Sequence, residues 1–306
     1  MTIGIPRAFL YYRYRVLWET FFDTLGVETV TSPQTDRRIM DRGVQVAIDE
    51  ACLSSKVYLG HVDALIGRCD AILVPRIANT GHKEILCTKF MALPDIVRNT
   101  FRDQDVQLVD YNIDVRQGKR ELGAFLALGK DVGRRKPQAL HAYMLAKQAE
   151  QIAEAEAARD QREKLERAGT KVLIVGHSYN IRDAAIGGPV LSFLKEQGVT
   201  AILADAVDRR LALDRASQLT QTLPWSHNKE LVGAVQLCKD RVDGIILLSA
   251  FPCGPDSLVN EMLIRRVSGV PMLNLLMDSQ EGTAGVETRL ESFLDILQFR
   301  KEAQYA

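Results

Sequence analysis

The amino-acid sequence predicts an α/β protein made of two similar doubly wound layers joined by a helical tract. Three observations carry this expectation: short apolar runs that alternate with helix-length segments, the return of the same rhythm in the second half, and a long charged tract between them. In the first third the runs are Ile3 to Ile5, Val27 to Thr31, Ala71 to Val74 and Val106 to Val109. After the tract come Lys171 to Gly176, Thr200 to Ala204, Gly244 to Ser249 and Pro271 to Leu276, with amphipathic stretches such as Leu191 to Glu196 and Leu231 to Lys239 between them. Strands that alternate with helices pair in parallel, which predicts two flavodoxin- or Rossmann-like lobes over residues 1–115 and 170–300. The helical connection fills residues 116–169; its segment Ala146 to Arg167 is rich in Ala, Glu, Lys, Gln and Arg and meets no Gly or Pro before Gly169. Such a tract reads as a solvent-washed helix, a spacer or a dimer contact. The polar ending after Ile296 is expected to fray.

Composition narrows the partners. The 39 basic and 39 acidic residues cancel, so the chain lacks the charge bias that nucleic acid or an anionic membrane would favour. No apolar run reaches the roughly 18–20 residues of a membrane helix, and the start enters a strand without a signal-peptide pattern. The expectation is a cytoplasmic protein. Five cysteines in such a chain speak for metal ligation, thiol chemistry or burial in place of a disulfide framework.

The familiar cofactor motifs are missing. The stretch Gly123 to Asp131 has five residues between its glycines and an Asp where a P-loop places Ser or Thr, and no G-x-G-x-x-G follows a strand. Gly176-His177-Ser178 sits at a strand-to-helix elbow without the second glycine of a hydrolase nucleophile, so His177 reads as a cap or a cleft residue. The histidines have no metal-binding spacing and no C-x-x-C pair exists.

The cysteines say more once placed on elements. Cys253 lies in Phe251-Pro252-Cys253-Gly254-Pro255-Asp256-Ser257, beyond a strand and before a helix that Asp256 or Ser257 can cap. Cys52 precedes the helical pattern Ser54 to Ile66, and Cys87 lies in the segment Ala78 to Lys89 ahead of a helix beginning near Pro94-Asp95. A helix start favours thiolate over thiol, and the carboxyl edge of a parallel sheet is where ligands bind. Cys69, leading into a strand, and Cys238, inside an amphipathic helix, read as buried small hydrophobes. Three thiolates can hold a 4Fe-4S cube and leave one iron open, and a three-cysteine zinc site fits the count equally.

The opening Ile3-Gly4-Ile5-Pro6-Arg7-Ala8-Phe9-Leu10-Tyr11-Tyr12, with Asp49-Glu50-Ala51-Cys52, Gly60-His61, Val74-Pro75-Arg76, Cys87-Thr88-Lys89-Phe90, Ser178-Tyr179-Asn180 and Cys253-Gly254-Pro255-Asp256-Ser257, resembles the activase-related proteins of the 2-hydroxyacyl-CoA dehydratase, benzoyl-CoA reductase and double-cubane group. The resemblance implies that Cys52, Cys87 and Cys253 ligate an iron–sulfur cluster between the two lobes. It also implies a low-potential reductase, dehydratase-like or electron-transfer role, fed by an ATP-dependent activase. A non-catalytic cluster carrier is the rival reading. Arg7, Arg76 and His177 are the candidates to meet a small-molecule substrate beside the open iron. Double-cubane relatives use six cysteines on an 8Fe-9S cluster, which three per chain would supply only across a homodimer; an ordinary 4Fe-4S cluster is simpler.

Overall fold

The computed structural model describes residues 1–279 and 283–305. The chain divides into two compact units, one of residues 1–154 and 224–226 and one of residues 155–223 and 227–306.

The first unit is built on a sheet of β1 (Thr2–Ile5), β2 (Glu28–Thr31), β3 (Ala71–Gly81), β4 (Glu84–Ile85) and β5 (Leu108–Asp114). Its parallel strands run in the order β2-β1-β3-β5, and β4 folds back antiparallel on the end of β3. Ala71 to Pro75 of β3 are all buried, as a strand covered on both faces requires. The helices are α1 (Tyr11–Thr24), α2 (Arg37–Val46), α3 (Leu53–Asp63), α4 (Thr88–Thr100), α5 (Glu121–Asp131) and the start of α6 (Lys136–Glu166). Tyr14, Leu17, Trp18, Phe21 and Phe22 recur at helical spacing on the buried side of α1. Phe21 and Tyr111 meet Phe125 of α5 edge to face at 4.7 and 5.1 Å, a directed aromatic core.

Two glycines bring α2 and α3 into backbone contact. A Cβ on Gly43 would lie 2.0 Å from the Lys56 carbonyl oxygen, and one on Gly60 would lie 2.0 Å from that of Ile39. Asp36 starts α2 by accepting from the Ile39 amide at 2.8 Å.

The second unit has a four-stranded, wholly parallel sheet of β6 (Lys171–Val175), β7 (Thr200–Leu203), β8 (Gly244–Ala250) and β9 (Met272–Met277), in the order β7-β6-β8-β9. Every residue of β8 is buried, which fits its central place. Around the sheet run α7 (Ser178–Ile181), α8 (Gly188–Glu196), α9 (Arg209–Ala216), α10 (Ser226–Cys238), α11 (Gly254–Arg266) and α12 (Thr283–Tyr305). In each unit the first two strands in sequence pair and the third lies on the far side of the first. The expected mixed α/β fold with parallel sheets is therefore present, with all eight predicted strands.

Four local expectations differ from the structure. β3 runs past Pro75 to Gly81, and α4 begins directly after Cys87 with Pro94 inside it. Near that proline the Met91 carbonyl accepts from Arg76 Nη1 at 2.7 Å, which ties α4 to β3. β5 runs from Leu108 to Asp114 where Val106 to Val109 was expected, and Gly123 to Asp131 lies within α5 and, as expected, forms no phosphate loop. The C-terminal segment does not end at Ile296: α12 continues, anchored by buried Leu297 and by Lys301, whose Nζ pairs with Asp243 at 3.0 Å.

Candidate functional site

Cys52, Cys87 and Cys253 each occupy the N-cap of a helix, starting α3, α4 and α11. All three are partly exposed and none donates or accepts a side-chain capping bond. Cys87 and Cys253 also share a topological position: each begins the first helix after the third parallel strand of its unit, with the short antiparallel β4 intervening in the first. That strand and the first flank the point where strand order reverses, the crevice in which open α/β sheets bind ligands. Each cysteine has an exposed large apolar neighbour nearby in sequence: Ile48 before Cys52, Met91 after Cys87, and Phe251 and Leu258 around Cys253.

Cys69 and Cys238 differ in kind. Cys238 is the last residue of α10 and fully buried, and burial pushes its thiol up to about 11. Cys69 donates to the Leu65 carbonyl at 3.4 Å and lies against Gly4, where a Cβ would approach its sulfur to 2.5 Å. Burial raises its thiol as well. Cys238 behaves as a small packing residue, whereas Cys69, expected to be buried as well, is partly exposed like the three cysteines at helix starts.

In the second unit the sulfur of Cys253 belongs to a buried polar cluster. The thiol donates to the Asp256 carboxylate, which also accepts from His177 Nε2 and Asn228 Nδ2, both at 2.9 Å. Burial opposes ionisation of Asp256, but the imidazole, the amide and the thiol together outweigh it and hold the carboxyl below its usual range. His177 caps α7 and stacks on Tyr179 with ring centroids 4.9 Å apart. His177 and Cys253 thus meet through Asp256, a residue that the sequence suggested only as a helix cap. The helix starts earlier than Asp256, at Gly254, with Pro255 in its first turn where a missing amide costs little. The signal was an acidic residue three positions after a cysteine at a helix start.

In the first unit the ring of Phe9 links the helices begun by Cys52 and Cys87. It stacks on Tyr58 of α3 at 5.3 Å and meets Phe90 of α4 edge-on at 5.0 Å. Phe9 holds a positive φ of 48°, rare for a bulky side chain, in the loop after β1. The Tyr58 hydroxyl has no hydrogen-bond partner in this apolar setting, and burial drives it far above the ordinary phenol range.

The candidate arginines are already engaged. Arg76 grips Asp95 with two bonds of 2.8 and 2.9 Å, so its guanidinium serves α4. Arg7 donates through Nε to the Ser32 carbonyl at 3.1 Å and lies over Tyr11 at 5.6 Å. Its amide donates to Ser32 Oγ at 2.8 Å, and the Ser32 and Thr35 hydroxyls hydrogen-bond with His61 Nδ1 and Nε2 at 2.8 and 2.9 Å. His61 is fully enclosed, and burial first, with Arg7 adding to it, lowers its pKa to about 3 despite the opposing charge of Asp36.

His61 gives the protein a pH-dependent stability. The unfolded imidazole takes a proton below about 6.5 while the folded one resists it, so stability is complete above that pH and falls as pH drops toward 3. The loss is about 1.4 kcal/mol per pH unit, or about 2 kcal/mol at pH 5. Denaturant midpoints at pH 7 and pH 5 are expected to differ accordingly in the wild type, and by clearly less in His61→Gln.

Among the described residues no group of three or more His, Cys, Asp or Glu side chains is gathered as a metal site. No helix among them is long and apolar enough to cross a membrane. None of the curated proteins matches the chain. Among solved structures, the SBP FpvC from Pseudomonas aeruginosa in complex with Mn2+ is 14% identical over 99% of both chains, with a TM-score of 0.30. ZnuA is 10% identical over 97% of this chain and 98% of its own, with a TM-score of 0.26. Likenesses this small carry no argument about fold or ligand. The family model described as CoA enzyme activase uncharacterised domain matches residues 2–207. That match spans more than half of the sequence, and the chain belongs to this family.

Proposed function

We propose that the chain is an iron–sulfur protein whose Cys52, Cys87 and Cys253 ligate a 4Fe-4S-type cluster with one open iron. The observation that carries the reading is that these three of the five cysteines, and neither of the others, cap helix N-termini. The donor set suits the group. Each helix start contributes a partial positive charge of roughly half a unit, which favours thiolates and the anionic cube they would hold. Cys52 and Cys87 belong to the first unit and Cys253 to the second, so the proposal requires one cluster ligated from both.

The role that goes with such a cluster is that of a low-potential reductase or electron-transfer component. The family description, which names a CoA enzyme activase, supports an ATP-dependent activase as electron donor and a dehydratase-like context. In this reading two copies pair, and His177, held through Asp256 beside Cys253, is the polar group best set to meet a small substrate. A cluster scaffold without turnover remains the rival role, separated by activity with a reductant and candidate thioesters.

Protein prepared without oxygen is expected to carry close to four irons and four acid-labile sulfides per chain, with thiolate-to-iron absorption in the visible range. About eight irons per pair of chains, together with magnetic behaviour unlike that of isolated cubes, would point to the bridged 8Fe-9S form. A colourless protein that binds zinc in place of iron would sink the proposal.

A further inference from the structure

The long helix α6 has an outward face unlike that of a solvent-washed helix. Between Lys136 and Glu154 its only Asp, Glu, Lys or Arg side chains are Lys147 and Glu150, and His141 is exposed. Both turn inward: Lys147 Nζ pairs with Glu150 at 2.6 Å and with Glu121 of α5 at 3.0 Å, beside buried Ala139, Ala142 and Ala146. The opposite face carries Leu140, Met144, Leu145 and Ile152, exposed by 40, 62, 40 and 52%. At 100° per residue these four lie within an arc of about 140°, which they share with exposed His141, Gln148 and Gln151. A run of exposed apolar side chains without charge, on a helix otherwise suited to water, marks an interaction surface.

The ends of this face say what covers it. Lys136 and Glu154 are 18 residues apart, five full turns, so they lie on the same edge of the arc, equally far from Leu145. Both are exposed, and Arg134 and Arg135 extend the basic end. A second copy laid antiparallel, with a two-fold axis level with Leu145, brings Lys136 of one chain to Glu154 of the other and repeats that contact on the far side of the axis. It also sets Leu140 near the copy's Ile152 and opposes the two helix dipoles favourably. A parallel copy would place like charges together.

We propose that α6 is the face through which two copies of this chain pair, antiparallel about Leu145. This deepens the pairing named above but does not depend on the cluster: an iron-free dimer through α6 would sustain it while sinking the cluster reading. The test is light scattering on the full chain at micromolar concentration, with a mass near twice 34.2 kDa expected. Met144→Glu and Ile152→Glu should each raise the dimer dissociation constant at least tenfold while leaving the thermal midpoint of the monomer unchanged, since both side chains are exposed. Lys136→Glu and Glu154→Lys should each weaken pairing, and the double variant should restore it, because the pair is regenerated with its signs exchanged. A monomeric wild type overturns the proposal, as does a dimer indifferent to both Glu substitutions. Failure of the double variant to recover overturns the antiparallel arrangement.

Discussion

Cys52→Ser, Cys87→Ser and Cys253→Ser are each expected to abolish or severely reduce iron content in protein prepared without oxygen, while Cys69→Ser and Cys238→Ser retain it nearly in full. The contrast follows from the helix starts. A thiol at an N-cap is partly exposed and sits in the positive field of the first turn, whereas Cys238 is enclosed and Cys69 is packed against Gly4. Loss of one of three ligands leaves a cube held by two, which does not survive purification. Iron and sulfide assays on the five variants, with circular dichroism to confirm folding, decide the matter. Equal loss across all five would mean that the cysteines are wrongly sorted.

The second large effect is expected at the crossing of α2 and α3. Gly60→Ala and Gly43→Ala should each destabilise the first unit by about 3 kcal/mol, net of the roughly 0.5–1 kcal/mol that Ala gains over Gly within a helix. The obstacle is a backbone carbonyl 2.0 Å from the new methyl, and a backbone cannot swing aside as a side chain can. The helices must part, and α3 carries Cys52 at its start, so iron retention should fall along with stability. Urea titration of the two variants measures the first effect. A shift below about 1 kcal/mol in both would show that the helices separate freely.

The strands were legible because their apolar runs are short and bounded, and all eight formed. The misplaced boundaries have a common cause. Pro75 read locally as a strand end and Pro94 as a helix start, yet β3 passes through the first and α4 through the second. β3 is covered on both faces, and Arg76 ties α4 to it through the Met91 carbonyl and Asp95; neither circumstance is visible in a local window. The helix-start positions of Cys52, Cys87 and Cys253 were legible because loop-to-helix transitions are written in nearby residues. The role of Asp256 was not, since it depends on His177 and Asn228, 79 and 28 positions away. Arg76 shows the opposite error: its place at a strand end suggested a substrate contact, but the structure commits it to Asp95. The tract before β6 was read as solvent-washed because composition averages over a helix, while between Lys136 and Glu154 Lys147 and Glu150 turn inward and Leu140, Met144, Leu145 and Ile152 turn outward.

Cysteine is a poor choice for a residue whose only task is to begin a helix. Ser, Asp or Asn at the same place would accept from the first-turn amides and stabilise each helix by about 1 kcal/mol. At positions 52, 87 and 253 the chain forgoes that gain three times, and no side-chain capping bond replaces it. If stability were the only demand, serine at these sites would be an improvement. The metal-free serine variants should therefore be the more robust proteins, and the wild-type residues mark where this fold trades helix strength for a sulfur at the helix tip.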